Sequence, residues 1–289
     1  WVWLIIPPSQ ASTEPIQWFQ LAGQTPAWNP RAYDAAVFAG GNFYVMGGSY
    51  PLYDFPRGLR NDVWVSSDAG KNWRMEAEKT AWTPRYGHSL VEFKGEIWLM
   101  GGLDTSGKTR NDVWHSRDGS AWVQAVPNAP WSGRMHHASV VFNNRIWILG
   151  GLYAENGNDV WWSENGIDWH LATSAAPWEE RFGHAAVVFN KRLWVMGGQE
   201  FSGGPKNDVW HTVDGEHWQK ATGAAAWQPR WLHSVLSHAN KIWIMCGDGG
   251  RAVDPKDDVW HSADGTSWTL ATAAATGKPR MNAAVFAHD

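Results

Sequence analysis

A single cysteine, Cys246, in 289 residues leaves no partner for an intramolecular disulfide and no set of thiolates for a metal cluster. Excess positive charge is missing too. With 24 Lys and Arg against 28 Asp and Glu, the net charge of −4 cannot supply the cationic surface from which phosphate-backbone affinity comes, so nucleic acid is set aside as a partner. No apolar run approaches the roughly 18 residues of a membrane-crossing helix. The opening WVWLIIPPSQAS is apolar and ends in small residues like the tail of a signal peptide, but it has no charged leader and is expected to be a strand. Helical periodicity is absent throughout.

What is abundant is punctuation and tryptophan: 30 Gly, 15 Pro and 24 Trp. An arginine followed sixteen residues later by Gly-Gly occurs at Arg31/Gly47, Arg85/Gly101, Arg134/Gly150 and Arg181/Gly197, and again at Arg230, where Cys246 takes the first glycine's place. Asn-Asp-Val-Trp follows each time, at Asn61, Asn111, Asn158 and Asn207, and as Asp-Asp-Val-Trp at Asp257. Successive arginines from Arg31 to Arg280 are 54, 49, 47, 49 and 50 residues apart.

Each period resolves into four short strands bounded by turn formers, as in HSLVEF, EIWLM, DVWHS and AWVQA after Arg85. Four antiparallel strands repeated at about 50 residues predict a β-propeller, because one such sheet exposes two apolar faces and must stack on its neighbours. The expected fold is all-β: a six-bladed β-propeller of four-stranded antiparallel blades in a single domain, 1–289. Repeats start near 31, 85, 134, 181 and 230, and the sixth blade, from 1–30 plus 280–289, is closed by the N- and C-terminal strands.

Twenty of the tryptophans recur at four positions: the second strand (Trp98, Trp147, Trp194, Trp243), the third (Trp64, Trp114, Trp161, Trp210, Trp260), the hairpin end (Trp18, Trp73, Trp122, Trp169, Trp218, Trp268) and three residues before the arginine (Trp28, Trp82, Trp131, Trp178, Trp227). The first three sets are read as filling the wedges between blades.

The arginine, double-glycine and tryptophan landmarks resemble the kelch repeat over nearly the whole chain. The hairpin SSDAGKNW at 66–73 also resembles the Asp-box of sialidases and related propellers; the later ones, such as SRDGSAW and SADGTSW, are one residue shorter. Kelch resemblance implies a propeller with several possible occupations, since the family includes protein-binding adaptors, actin binders, copper oxidases and a sialic-acid mutarotase.

In a four-stranded meander the loop entering the first strand and the loop joining the second to the third share one face. The latter loops vary in length (49–60, 103–110, 152–157, 199–206, 248–256), whereas arginine-to-glycine spacing is constant, so binding residues are sought on that face. Arg31, Arg85, Arg134, Arg181, Arg230 and Arg280 either ring the channel mouth as an anion site or each pin their own blade through loop carbonyls. Trp82, Trp131, Trp178 and Trp227 beside them either stack on a ligand or pack over the blade tops. Tyr53, Tyr153 and Glu200 complete the candidate set.

His88, His137, His184 and His233 follow their arginines by three residues; one per blade, they are too dispersed for a metal and are expected to bond backbone. His136 is an extra. Cofactors are expected to be none. The function expected is a ligand-binding or protein-interaction propeller for an acidic peptide or anionic carbohydrate, favoured over an enzyme. The alternative is a carbohydrate-active enzyme, either a sialidase-like hydrolase drawing on Tyr50, Tyr53, Tyr86, Tyr153, Asp54, Asp104, Glu155 and Glu200, or a mutarotase using Glu200 or His136. Resemblance to exported bacterial kelch-type proteins implies a secreted, extracellular or bacterial cell-envelope setting.

Overall fold

Two-residue turns with both residues left-handed join the first and second strands of the five repeats: Gly40-Gly41, Lys94-Gly95, Asn143-Asn144, Asn190-Lys191 and Ala239-Asn240 all have positive φ. That is the turn whose twist matches a tight hairpin. The computed structural model describes residues 2–6, 17–18, 28, 30–50, 57–153, 157–250, 254–275 and 279–287. Among them every element is a strand, and no helix is long and apolar enough to cross a membrane.

Five sheets are four-stranded antiparallel meanders, the blades of a β-propeller. Blade one consists of Ala35–Ala39, Asn42–Met46, Val63–Ser66 and Arg74–Ala77, innermost first. The second strand of each blade is buried along almost its whole length, as in Ile97, Trp98, Leu99 and Met100 of Glu96–Met100, because it has neighbours within the sheet and on both faces. The fourth strand is the outer edge and begins exposed. Between the third and fourth strands the register slips at Val63/Trp64, Val113/Trp114, Val160/Trp161, Val209/Trp210 and Val259/Trp260, a bulge that adds twist at the same place in all five blades.

The chain forms two compact units. Gln24–Phe182 holds blades one to three; Trp1–Gly23 with Gly183–Asp289 holds blades four and five and a further sheet. In each unit the core lies between successive blades. Trp82 of the strand-connecting segment joins Val63, Leu99 and Trp122 in one cluster, and Trp227 joins Val209, Ile244 and Trp268 in another. The hairpin glycine of one blade sits on the second-strand aromatic of the preceding one. A Cβ on Gly166 would meet Trp98 at 2.1 Å, and one on Gly265 would meet Trp194 at 2.1 Å.

Among the described residues the four-stranded blades number five, not the six expected, and no sixth four-stranded blade is seen there. The two ends of the chain instead make a three-stranded sheet, Gln17–Trp18, Val2–Ile6 and Ala284–Ala287 in that order. Its antiparallel character fails as well, because Val2–Ile6 runs parallel to Ala284–Ala287, with Val2 opposite Ala284 and Ile5 opposite Ala287. Within a blade the short turns force neighbouring strands to reverse. Strands from opposite chain ends share no turn, and either direction can satisfy the ladder.

Candidate ligand-binding face

The motif arginine is an internal strut. Arg85 Nη1 donates to the Gly101 carbonyl (2.8 Å) and to Asp112 Oδ1 (2.7 Å), Nη2 to Asp112 Oδ2 (2.9 Å), and Nε to the Thr83 carbonyl (3.1 Å). Arg31 repeats this with Gly47 and Asp62, Arg134 with Gly150 and Asp159, and Arg230 with Cys246 and Asp258. The same aspartates accept from third-strand indoles, as Asp112 does from Trp114 Nε1 at 2.8 Å, so the arginine–aspartate pair joins the entry to the first strand with the end of the second and the start of the third. Burial alone would raise the Asp258 pKa, but the hydrogen bonds and charge of Arg230, with Trp260, hold it below the usual carboxylate range. Arg181 donates to the Glu179 carbonyl at 3.1 Å and pairs with its carboxylate. Arg280 is held through its backbone, donating to the Lys256 carbonyl and accepting from Gly247 N–H.

Arg85, Arg134, Arg181 and Arg230 are no more than 1 % exposed. An anion reaching Arg85, Arg134 or Arg230 would have to displace an aspartate already bonded bidentately. Trp82, Trp131, Trp178 and Trp227 are buried to a similar degree. Trp82, Trp131 and Trp227 meet the hairpin tryptophans Trp122, Trp169 and Trp268 edge-on at 5.8–6.0 Å. Asn111 Nδ2 bonds the Ala129 and Trp131 carbonyls, and Asn61, Asn158 and Asn207 do the same in their repeats, clipping the segment that carries each tryptophan.

At His88 the imidazole fills space instead of bonding backbone. His88 makes no ring hydrogen bond, and burial, with Arg85 beside it, lowers its pKa to about 3. His137 Nε2 pairs with Ser89 Oγ of the preceding blade at 2.7 Å. Three of the imidazoles lie over the first glycine of the preceding blade: a Cβ on Gly47 would stand 2.6 Å from His88 Cε1, one on Gly101 2.9 Å from His137 Cε1, and one on Gly197 2.6 Å from His233 Cε1. Among the described residues no three of His, Cys, Asp and Glu converge as metal ligands.

The variable loops carry the exposed chemistry. Glu200 pairs with Lys206 at 2.7 Å, and beside it Phe201 projects 74 % exposed. Asp104 is held below its usual pKa: burial opposes this, but bonds from Ser106, Arg110 and Lys108 outweigh it. Tyr153 covers the Arg134 guanidinium at 4.5 Å and donates its hydroxyl to Asp159 at 2.8 Å, which leaves it a part of the strut. Burial pushes its pKa up. Tyr53 lies outside the described residues. Arg57, Lys79 and Lys108 are exposed cations of the unit 24–182, on its loop face.

Sequence reasoning singled out Tyr86 and His136 separately but missed Tyr33 and the shared position two past each arginine. Tyr33 and His136 stand there, and with Tyr86 they form a half-buried aromatic group at the start of the inner strands. No protein-family profile matches the chain, and no curated protein matches it either.

Proposed function

We propose that this chain is a binding or protein-interaction module of kelch type. Its arginines and tryptophans build the frame, and its variable loops with the adjoining inner-strand ends meet the ligand. The observation that carries this reading is the division of labour within each repeat. Arginine, aspartate, asparagine and tryptophan satisfy one another internally, while the loops between them change in length and chemistry. A rigid scaffold with divergent loops is suited to recognition. The ligand proposed is an acidic peptide or anionic glycan; Arg57, Lys79 and Lys108 supply accessible cations without unpicking a strut. An extracellular or envelope location belongs to the same proposal.

The test is an array of glycans and peptides probed with the wild type, with Arg57→Ala/Lys108→Ala and with Arg85→Ala. The loop variant is expected to lose anionic ligands at unchanged melting temperature, and Arg85→Ala to lose melting temperature. Arg85→Ala losing binding while keeping its stability would return the site to the motif arginines. Turnover of sialosides or faster mutarotation of sialic acid by the wild type would replace the binding module with the enzyme.

A further inference from the structure

Two residues past each motif arginine the backbone turns left-handed: Tyr33 (φ 57°), Gly87 (65°), His136 (51°), Gly183 (60°), Leu232 (51°) and Asn282 (51°). Glycine adopts this conformation freely, as at Gly87 and Gly183, whereas a residue with a Cβ gives up on the order of 1–2 kcal/mol. Such strain is retained where the side chain has a use.

Within the unit 24–182 three of these positions are adjacent. Gly87 N–H donates to the Tyr33 carbonyl at 3.1 Å and His136 N–H to the Gly87 carbonyl at 2.8 Å. The rings of Tyr33, Tyr86 and His136 form a triangle with centroid separations of 5.5, 5.1 and 5.8 Å. A Cβ on Gly87 would come within 3.1 Å of His136 Cε1, so the bare glycine lets the imidazole lie against the tyrosines. All three side chains are partly buried and keep some surface open to solvent. Neither the Tyr86 hydroxyl nor either His136 ring nitrogen has a hydrogen-bond partner among the described residues. A cluster packed for stability alone has no need of polar tips left without protein partners.

We propose that Tyr33, Tyr86 and His136 receive one face of a pyranose ring, so that the ligand of the loop face is a carbohydrate; this rests on the binding-module reading above. A pyranose offers an apolar C–H face and a rim of hydroxyls, and it needs an aromatic surface edged with donors and acceptors. The two phenols and the imidazole are such a surface. Burial lowers the His136 pKa to about 4, so near neutral pH the imidazole is uncharged and keeps one donor and one acceptor. The cluster presents no cation to a peptide carboxylate, which favours the sugar over the acidic peptide.

Gly87 and Gly183 show that glycine fits this backbone, so Tyr33→Gly and His136→Gly remove the rings without disturbing the chain. The probes are neutral oligosaccharides, uronic-acid-containing oligosaccharides and acidic peptides, with affinity and melting temperature measured for each variant. The His136 Cε1–H resonance, identified by its loss in His136→Gly, is followed during sugar titration. The expected result is sugar binding by the wild type, a shift of that resonance, at least tenfold weaker binding by both variants, and melting temperatures equal to or above the wild type.

Sugar binding that survives both substitutions overturns this site and leaves the binding module in place. A melting temperature lowered by several degrees in both variants overturns it in favour of structural packing. Binding of acidic peptides with no sugar bound overturns the carbohydrate assignment alone. A wild type that binds none of the probes overturns the binding-module reading with it.

Discussion

Blade one meets blade two across Gly47 and His88, whereas blade five meets the terminal sheet across Cys246 and Ala283. At the first junction a Cβ on the glycine would stand 2.6 Å from the imidazole Cε1, so ring and side chain compete for one space. At the second junction the ring has shrunk to an alanine methyl, and a cysteine side chain occupies the vacated volume, buried with Ala283 against it. Cys246 nevertheless keeps the left-handed backbone of the glycines it replaces, at φ 60° against 65° for Gly47. The glycine is therefore required by the neighbouring ring as well as by its own dihedral angle. Two fillings of equal bulk close the same wedge, which is what close packing demands.

The strongest way to break this comparison is to impose one filling on the other junction. Gly47→Cys with His88 retained puts a side chain into the imidazole, and overpacking joined to left-handed strain is expected to remove on the order of 3 kcal/mol. Adding His88→Ala copies the Cys246/Ala283 arrangement and should restore at least half of it, a coupling of about 1.5 kcal/mol or more in a double-mutant cycle read by urea denaturation. Additive losses would mean that the two residues do not share a space.

Acid separates the junctions next. Burial, with an arginine as the second cause in each case, lowers His88 and His233 to about 3 from 6.5. A histidine with a depressed folded pKa contributes stability that is fully present above its unfolded pKa and lost as pH falls toward the folded one. Stability is thus expected to decline between about pH 6.5 and pH 3, at up to about 1.4 kcal/mol per pH unit for each such group. The junction closed by Ala283 contributes nothing to that slope. The Gly47→Cys/His88→Ala protein should show a shallower decline than the wild type over this window; an unchanged slope would mean that His88 is not the titrating group.

How much of this was legible beforehand follows from which spacings are rigid. Sixteen residues from arginine to glycine never vary, because the arginine caps the carbonyl of that very position, as Arg85 does with Gly101 and Arg230 with Cys246. The repeat and the four strands could therefore be read. The aspartate that completes the strut could not, because a loop of changing length intervenes: Arg31 reaches 31 residues to Asp62, but Arg134 only 25 to Asp159. His136 stood out as an extra histidine, but its grouping with Tyr33 was hidden for a different reason. Glycine marks the left-handed position only at Gly87 and Gly183, and elsewhere the conformation leaves no trace in residue type. The parallel pairing of the chain ends was equally illegible, since only a connecting turn would have fixed its direction.

The smallest effects sharpen the comparison most, because they test the cysteine by itself. Its thiol is buried and its pKa is pushed up to about 11, chiefly by that burial, so labelling of native protein at pH 8 should be slow and should accelerate on unfolding. Cys246→Gly leaves a small void beside Ala283, costing about 1 kcal/mol, and returns glycine to a left-handed backbone, which gives back a comparable amount. The net change should fall within about 1 kcal/mol of zero. Installing Ala283→His on that background rebuilds the His-over-glycine filling seen at Gly197 and His233. Ala283→His on the wild-type background sets the new ring against the Cys246 side chain. If both Ala283→His proteins unfold at the same urea concentration, the cysteine and the ring do not compete, and the equivalence of the two fillings is wrong.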